Sequence, residues 1–399
     1  GIPIKSISDL LNLTEHIERL DAELIFLDNS DFFENKEIDQ EKLKKVKYDS
    51  LTWVQINENE FLIPNVILNS NKFICINQVN VNPLFQLNLS LLNLYSIIPP
   101  KYRVIGKNAK ENLSSDQYKK QLISNILDVL AIKHPNLIIN DLFFILDRAG
   151  PYLYKDSKIR KTNLMVIGDN AIAVDAITLN ILNLETNSNE LLVQAQSRYI
   201  NSLNSSNVKL LGEKIDDIST TVDLCVSELK NINVKNFSIN SGNVCSGCFK
   251  HAYHLLNFMK TYMEKDLKYN VKNSFIIGEN PPEPMESHNF ILFGDCAINS
   301  TKIFKFRKII TKPKKDLLGN VKTKISKKSK SNKKTKIKEK QNKNILELPG
   351  CPPSIYNCLN SILKYYGKKS LPNLNLFLNV TKSWITGNLN DKLKLWEAL

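Results

Sequence analysis

The chain has 399 residues, 42% of them hydrophobic, and 54 basic against 40 acidic side chains give it a net charge of +14. That length accommodates two or three packed cores, and no apolar run reaches the roughly 20 residues that a membrane-spanning helix requires. Seven cysteines are too few for a disulfide-built scaffold, and with no charged-then-apolar leader the expected setting is a reducing cytoplasm.

From the amino terminus, Ile7, Leu10, Leu11, Leu13, Ile17 and Leu20 recur at helical spacing, so 6–22 is predicted to be a helix. A strand over Glu23–Asp28 is predicted to follow, then a charged, exposed stretch over 29–48. Strands are expected near 52–56, 61–67 and 72–79, and Asn, Pro and Lys mark a loop over 99–113. Ser114 or Ser115 is placed to cap a helix through Tyr118, Leu122, Ile126, Val129 and Leu130. The pattern then alternates. A buried strand over 136–147 ends in Asp147-Arg148-Ala149-Gly150-Pro151, and another over 163–167 ends in Gly168-Asp169-Asn170. Helices are predicted over 171–184, 188–201 and 216–229, with a strand-like connector at 231–239. Strands and helices at this pitch predict an α/β fold over 1–230, a mostly parallel sheet with helices on both faces.

A second, smaller α/β domain is expected over 231–399, and it holds four cysteines in distinctive settings. They read Val244-Cys245-Ser246-Gly247-Cys248, Phe293-Gly294-Asp295-Cys296-Ala297 and Pro349-Gly350-Cys351-Pro352-Pro353. Cys296 and Cys351 each follow a short apolar run, 290–293 and 345–348, of the kind that forms buried strands. Cys245 and Cys248 open a helical pattern that extends to about Lys265, whose amino terminus favours thiolates. Loops at the carboxyl ends of strands are where open α/β sheets place ligands, so three such loops offer four thiolates to one edge. That is the donor set of a [4Fe–4S] cluster. A tetrahedral zinc is the alternative, either on the four cysteines or with His251 and His254, which continue the three-residue spacing of Cys245 and Cys248.

Other candidate groups are fewer. Asp147 and Asp175 stand beside strand-to-helix turns, where a carboxylate serves acid–base chemistry, orders a turn or favours a helix dipole. No Gly-x-Gly-x-x-Gly, phosphate-binding loop or nucleophile motif occurs. His16 and His134 stand alone, while Cys75, Cys225 and Cys358 lie in strand or helix patterns as small apolar residues. Cys358, two helical turns past Cys351, is a spare ligand.

Two resemblances carry this further. The run Leu146-Asp147-Arg148-Ala149-Gly150-Pro151 and the run Ile167-Gly168-Asp169-Asn170-Ala171-Ile172-Ala173-Val174-Asp175-Ala176 resemble the uncharacterised family catalogued as domain of unknown function 362. The likeness covers about residues 6–211. Gly168, Ala173, Asp175 and Ala176 fit its Gly-x-Asp-x-x-Ala-x-Asp-Ala signature, whereas Asn170 replaces an aspartate. The family's Pro-Lys-x-Lys-Thr-His segment falls on Asn77–Asn82 and its Lys-Asn pair on Leu92-Asn93, so only Asn93 is kept. Amides cannot neutralise an anion as lysines do, so any anion held by the family site is expected to bind weakly here. The family's first strand is also missing, as expected of a fragment. Members of that family often carry cysteine clusters, in keeping with the carboxyl-terminal part. Its cysteine set resembles the proximal-cluster ligands of nickel–iron hydrogenase small subunits and their relatives in respiratory complex one.

The function these readings imply is an iron–sulfur protein that exchanges electrons with a partner protein, by itself or as an oxidoreductase component. The alternatives are a non-redox binding or regulatory protein stapled by zinc or a cluster, and an enzyme acting at Asp147 or Asp175. Between Lys312 and Lys343, 14 lysines face two acids, Asp316 and Glu339, a net of +12 of the chain's +14. Polar and without apolar period, this segment is expected to be a disordered surface insertion that interrupts the second domain. It could attract polyanions, but without interleaved aromatics it makes a poor nucleic-acid reader. Deleting 312–343 is expected to leave solubility and metal content intact and to reduce retention on a cation exchanger sharply. Loss of soluble protein on deletion would refute that reading.

Overall fold

The structure, a computed structural model, describes residues 8, 12–27, 51–99, 103, 115–199, 208–264, 272–285, 289–308 and 344–366. The charged stretch 29–48, nearly all of the 99–113 loop and the lysine-rich segment 312–343 lie outside them. Of the helix predicted over 6–22, residues 6, 7 and 9–11 lie outside the described ones; α1 spans Leu13–Glu18 and ends four residues before the predicted boundary. The described part of the expected strand at 23–28 is irregular, because no described strand offers it a ladder. Strands β1 (Leu51–Ile56) and β2 (Asn59–Pro64) form an antiparallel hairpin with Leu51 opposite Pro64. Asn57 takes the left-handed turn position at φ 52°, which asparagine tolerates. The strand predicted to reach 67 stops at Pro64, and 65–68 turn into a helix.

The first large sheet is built around β3 (Ile74–Asn82), whose side chains alternate in burial. Strand β4 (Gln86–Asn88) runs antiparallel along one side of it. Helices α2 (Ser90–Leu94) and α3 (Ser115–Ile132) lead to β5 (Leu137–Asp147), which lies parallel to β3 from Ile74 opposite Leu137. The far edge of β5 holds two short antiparallel strands end to end. They are β6 (Lys158–Lys161), along 144–147, and β7 (Met165–Gly168), along 138–141. The expected α/β architecture is present, and this sheet is mixed: only β3 and β5 are parallel.

Helices α4 (Ala171–Ile181) and α5 (Glu190–Arg198) complete the layer over it. Val79, Val81, Ile138, Leu142 and Ile145 of the sheet share one core with Ile126 and Leu130 of α3 and Leu179 of α4. On the opposite face, Ile76, Ile139 and Ile167 are aligned across β3, β5 and β7. Ile76 and Ile167 are 66% and 58% exposed. The helix predicted over 216–229 is reduced to one turn at Ile215–Ile218. Beyond it the backbone bonds outward: Thr220 N–H donates to the Ile181 carbonyl (2.8 Å), and the Asp223 carbonyl accepts from Arg148 N–H (2.7 Å). Cys225 therefore sits in an irregular segment and not in a helix.

The second sheet contains β8 (Phe237–Ser241), β9 (Asn273–Ile277), β10 (Asn289–Phe293) and β11 (Ile345–Leu348), all parallel and adjacent in chain order. Strand β9 is the element that hydrophobic pattern does not single out. Its five residues are all buried, yet two are Asn273 and Ser274. Helix α6 (Ser246–Tyr262) connects β8 to β9, and α7 (Asp295–Ser300) follows β10. Helix α8 (Ile355–Tyr365) follows β11 and shares a core with α6, through Cys358 and Ile362 on one side and Leu255 and Met259 on the other. Ile276, Leu292 and Phe306 belong to a separate cluster with Ala297 of α7.

The two cores meet at the loop after β5. Ala149 and Tyr154 belong to the second core. The Tyr154 hydroxyl lies 2.8 Å from His254 Nδ1 of α6, and Lys155 N–H donates to Thr261 Oγ1 at 2.9 Å. A Cβ on Gly150 would come within 2.5 Å of the Val81 carbonyl oxygen, so this loop can cross β3 only with glycine there.

Candidate metal centre

Because β8, β10 and β11 are parallel members of one sheet, their carboxyl ends lie on one edge, and each is followed by cysteine. Cys245 is the residue before α6, and its Sγ accepts the N–H of Cys248 at 3.3 Å. Cys248 is buried, whereas Cys296 in α7 and Cys351 after β11 are exposed. Two glycines with positive φ shape the outer loops: Gly294 at 89° and Gly350 at 129°, a region costly for any residue with a Cβ. A Cβ on Gly294 would stand 3.4 Å from Cys248 Sγ and 3.6 Å from the Gly350 carbonyl oxygen, so the three loops converge at Gly294.

Hydrogen bonds fix these loops to one another. Gly294 N–H donates to the Leu348 carbonyl (2.9 Å) and Asp295 N–H to the Gly350 carbonyl (3.2 Å). Gly350 N–H returns a bond to Asp295 Oδ1 at 2.9 Å. On the other side, His251 Nδ1 lies 2.7 Å from the Pro353 carbonyl. A carbonyl only accepts, so that nitrogen carries the proton. Burial holds both helix histidines below the usual imidazole range, His254 to about 3. Each is therefore neutral near pH 7 and commits Nδ1 to a partner other than the thiols. Sequence spacing aligned them with the cysteines; packing gave them to Pro353 and Tyr154.

The thiols feel one another. The Cys248 side chain donates to Cys245 and lowers its pKa to about 6, while the same bond and burial push Cys248 up. Burial raises Cys296 and Cys351, and the Cys245 charge adds to both. Among the described residues, no three His, Cys, Asp or Glu side chains close tightly enough to hold a metal ion. A tetrahedral zinc needs all four donors about 2.3 Å from one point. A cubane is likewise ligated by four thiolates, so the four cysteines offer the donor type that either group takes.

Cys75 and Cys358 are buried in the two cores. Cys225 packs beside both, with its Sγ 4.0 Å from the Gly150 carbonyl. His134 Nδ1 lies 3.0 Å from the Pro135 carbonyl, and His16 is in the last turn of α1.

The two aspartates stand apart from the cysteine edge, and both are sealed. Asp147 is 1% exposed; its Oδ2 accepts from Arg160 Nε (2.9 Å) and its Oδ1 from Asp223 N–H (2.7 Å). Asp175 accepts Ser90 N–H (3.0 Å), Ser90 Oγ–H (2.7 Å), Leu91 N–H (2.9 Å) and Asn140 Nδ2–H (2.9 Å). Four donors saturate a carboxylate, so Asp175 ties the start of α2 to the sheet. The amides along the stretches 77–82 and 92–93, the kept Asn93 among them, are likewise engaged. Asn77 donates to Asn140 (3.1 Å), Gln78 to the Phe144 carbonyl (3.2 Å), and Asn93 to the Ile76 carbonyl (3.1 Å). Asn80 Oδ1 accepts Leu146 N–H at 2.8 Å. Asp295 was not singled out by sequence; its one signal is the Gly-Asp-Cys order.

Residues 14–180 match the family model described as Domain of unknown function (DUF362). This supports the resemblance for the first sheet and leaves the cysteine edge outside the matched span. Neither a curated protein nor a solved structure matches the chain.

Burial raises Asp175 from 3.8 to about 6. The folded protein therefore keeps a proton that the unfolded chain has released, and stability is expected to fall as pH rises from about 4 to about 6, by up to about 3 kcal/mol. Asp175→Asn turns an NH₂ toward N–H donors and should cost about 2–4 kcal/mol at pH 7 while flattening that slope. Chemical denaturation of both proteins across pH 4–7 checks this; a slope unchanged in the variant would refute it.

Proposed function

We propose that Cys245, Cys248, Cys296 and Cys351 hold a [4Fe–4S] cluster, and that the protein exchanges electrons with a partner protein in the cytoplasm, as a carrier or as a component of an oxidoreductase. The observation that carries this reading is the convergence of the three cysteine loops at Gly294, which borders Cys248 Sγ and the Gly350 carbonyl and whose φ of 89° favours glycine. The bound group would supply one-electron storage. The protein's part is to hold and tune it. Cys248 N–H donates to the Cys245 sulfur, a bond of the kind that shifts cluster potentials. Asp295 and Gly350 lock the two outer loops together, so the thiolates keep their positions when the charge changes. Cys248 lies on the protein side, and Cys296 and Cys351 lie at the surface, the side from which a partner could approach. A lone cluster has no internal relay, so the electron must enter and leave through that partner.

Anaerobically purified protein is expected to be brown, with about four irons per chain and a broad absorption that bleaches on reduction. Serine at any of the four positions should lower iron content, because a hydroxyl is a poor substitute for a soft thiolate. Serine at Cys75, Cys225 or Cys358 should spare it, and His251→Ala and His254→Ala should retain iron. Stoichiometric zinc without iron after anaerobic reconstitution would overturn the proposal, as would full iron in Cys351→Ser together with its loss in Cys358→Ser.

A further inference from the structure

A cleft of about 590 Å³ opens where the helices of the first sheet meet the beginning of the cysteine helix. Lys119 and Lys120 of α3, Glu190 of α5, and Val244, Ser246 and Phe249 at the cysteine turn line it. Val244 and Ser246 are the immediate neighbours of Cys245, so one wall of the cleft is the backbone that carries a proposed cluster ligand. The volume falls in the range of small-molecule sites, and polar and apolar side chains share its walls.

The charges do not cancel. Lys119 is paired with Glu190 at 2.8 Å, and its ammonium also lies 5.5 Å from the centre of the Phe85 ring. Lys120 is exposed and forms no ion pair with a described residue. Among the lining side chains, one carboxylate against two ammonium groups leaves one positive charge, beside Phe249 and Val244. No arginine is among the described lining residues, so the bidentate fork that suits phosphate is missing there.

We propose that this cleft binds a small organic acid, with its carboxylate on Lys120 and its apolar body against Phe249 and Val244, beside the centre. Pro83 and Leu84, which follow Asn82 at the end of β3, also line the cleft, so it opens beside one end of the stretch where the resemblance placed a lost anion site. The assignment rests on the cleft alone and goes beyond the electron-transfer reading by naming what would be bound next to the centre.

Calorimetric titration of the full chain, reconstituted anaerobically, tests it with phenylacetate, hexanoate and benzoate as probes and phenylacetamide as the neutral control. One acid per chain is expected to bind, with phenylacetate at least about tenfold tighter than its amide. Lys120→Gln, at an exposed position whose fold circular dichroism can verify, should remove that preference, and Phe249→Ala should weaken acid and amide alike. Equal binding of acid and amide, an undiminished preference in Lys120→Gln, or no saturable binding of any of the three acids at millimolar concentration would overturn the proposal. Binding of a hexaglutamate peptide alone would make the cleft a docking groove for an acidic protein segment and would equally overturn it. Iron is measured on the same samples, so a protein that binds acid without iron, or iron without acid, separates this inference from the cluster assignment.

Discussion

The parallel ladder of β8 to β11 is the constraint on which the candidate centre depends. Parallel neighbours send every carboxyl end to the same edge, so cysteines separated by more than 100 positions along the chain meet without any direct sequence link. The ladder alone would bring them only to the same side. What brings the outer loops into contact is a set of hydrogen bonds: Gly294 N–H to the Leu348 carbonyl, Asp295 N–H to the Gly350 carbonyl, and Gly350 N–H to the Asp295 carboxylate. The positive φ at both glycines explains why each cysteine in these loops follows closely on one.

The first sheet uses polar residues differently. In most strands a buried asparagine or aspartate is a liability, because an unpaired polar group costs about 1–3 kcal/mol. Here Asn77, Asn140, Asp175 and Ser90 form one bonded chain from β3 through β5 to α4 and α2. Asp147 does the same at the far end of β5 with Arg160 and the backbone of Asp223. Residues whose types suggested chemistry are joints between elements. Asn80 and Asn82 of β3 fit this role, since their Oδ1 atoms accept backbone N–H groups that a lysine, which only donates, could not serve.

The junction between the two cores is what gives the cysteine edge a neighbour. Tyr154 and Lys155 reach α6 from the loop after β5. A Cβ on Gly247 would stand 3.2 Å from the Tyr118 ring of α3, so the start of the cysteine helix packs closely on the first unit. The cleft beside Cys245 opens near the second of these contacts, between α3 and the start of α6. An electron-transfer site alone would need no such recess, and the lysines that line it belong to the unit that carries no cysteine ligand.

Local pattern was enough to place much of this protein. The strands at 290–293 and 345–348, the helices at 115–132 and 171–181 and the four cysteine settings follow from apolar runs, periodicity and glycine, because burial of one face is a property of neighbours along the chain. The match over 14–180 likewise rests on short runs around Asp147 and Gly168. What only the tertiary structure decided is pairing. The fully buried β9 carries Asn273 and Ser274, so its sequence does not read as a core strand until β8 and β10 flank it. The segment 219–226 has helical spacing, yet its amides are taken by Ile181 and Asp147. His251 and His254 share a helix with two cysteines, but their partners are Pro353 and Tyr154, about 100 residues away in either direction. Such choices depend on which donors and acceptors the fold brings within reach, and distance in space is not written in any window of sequence.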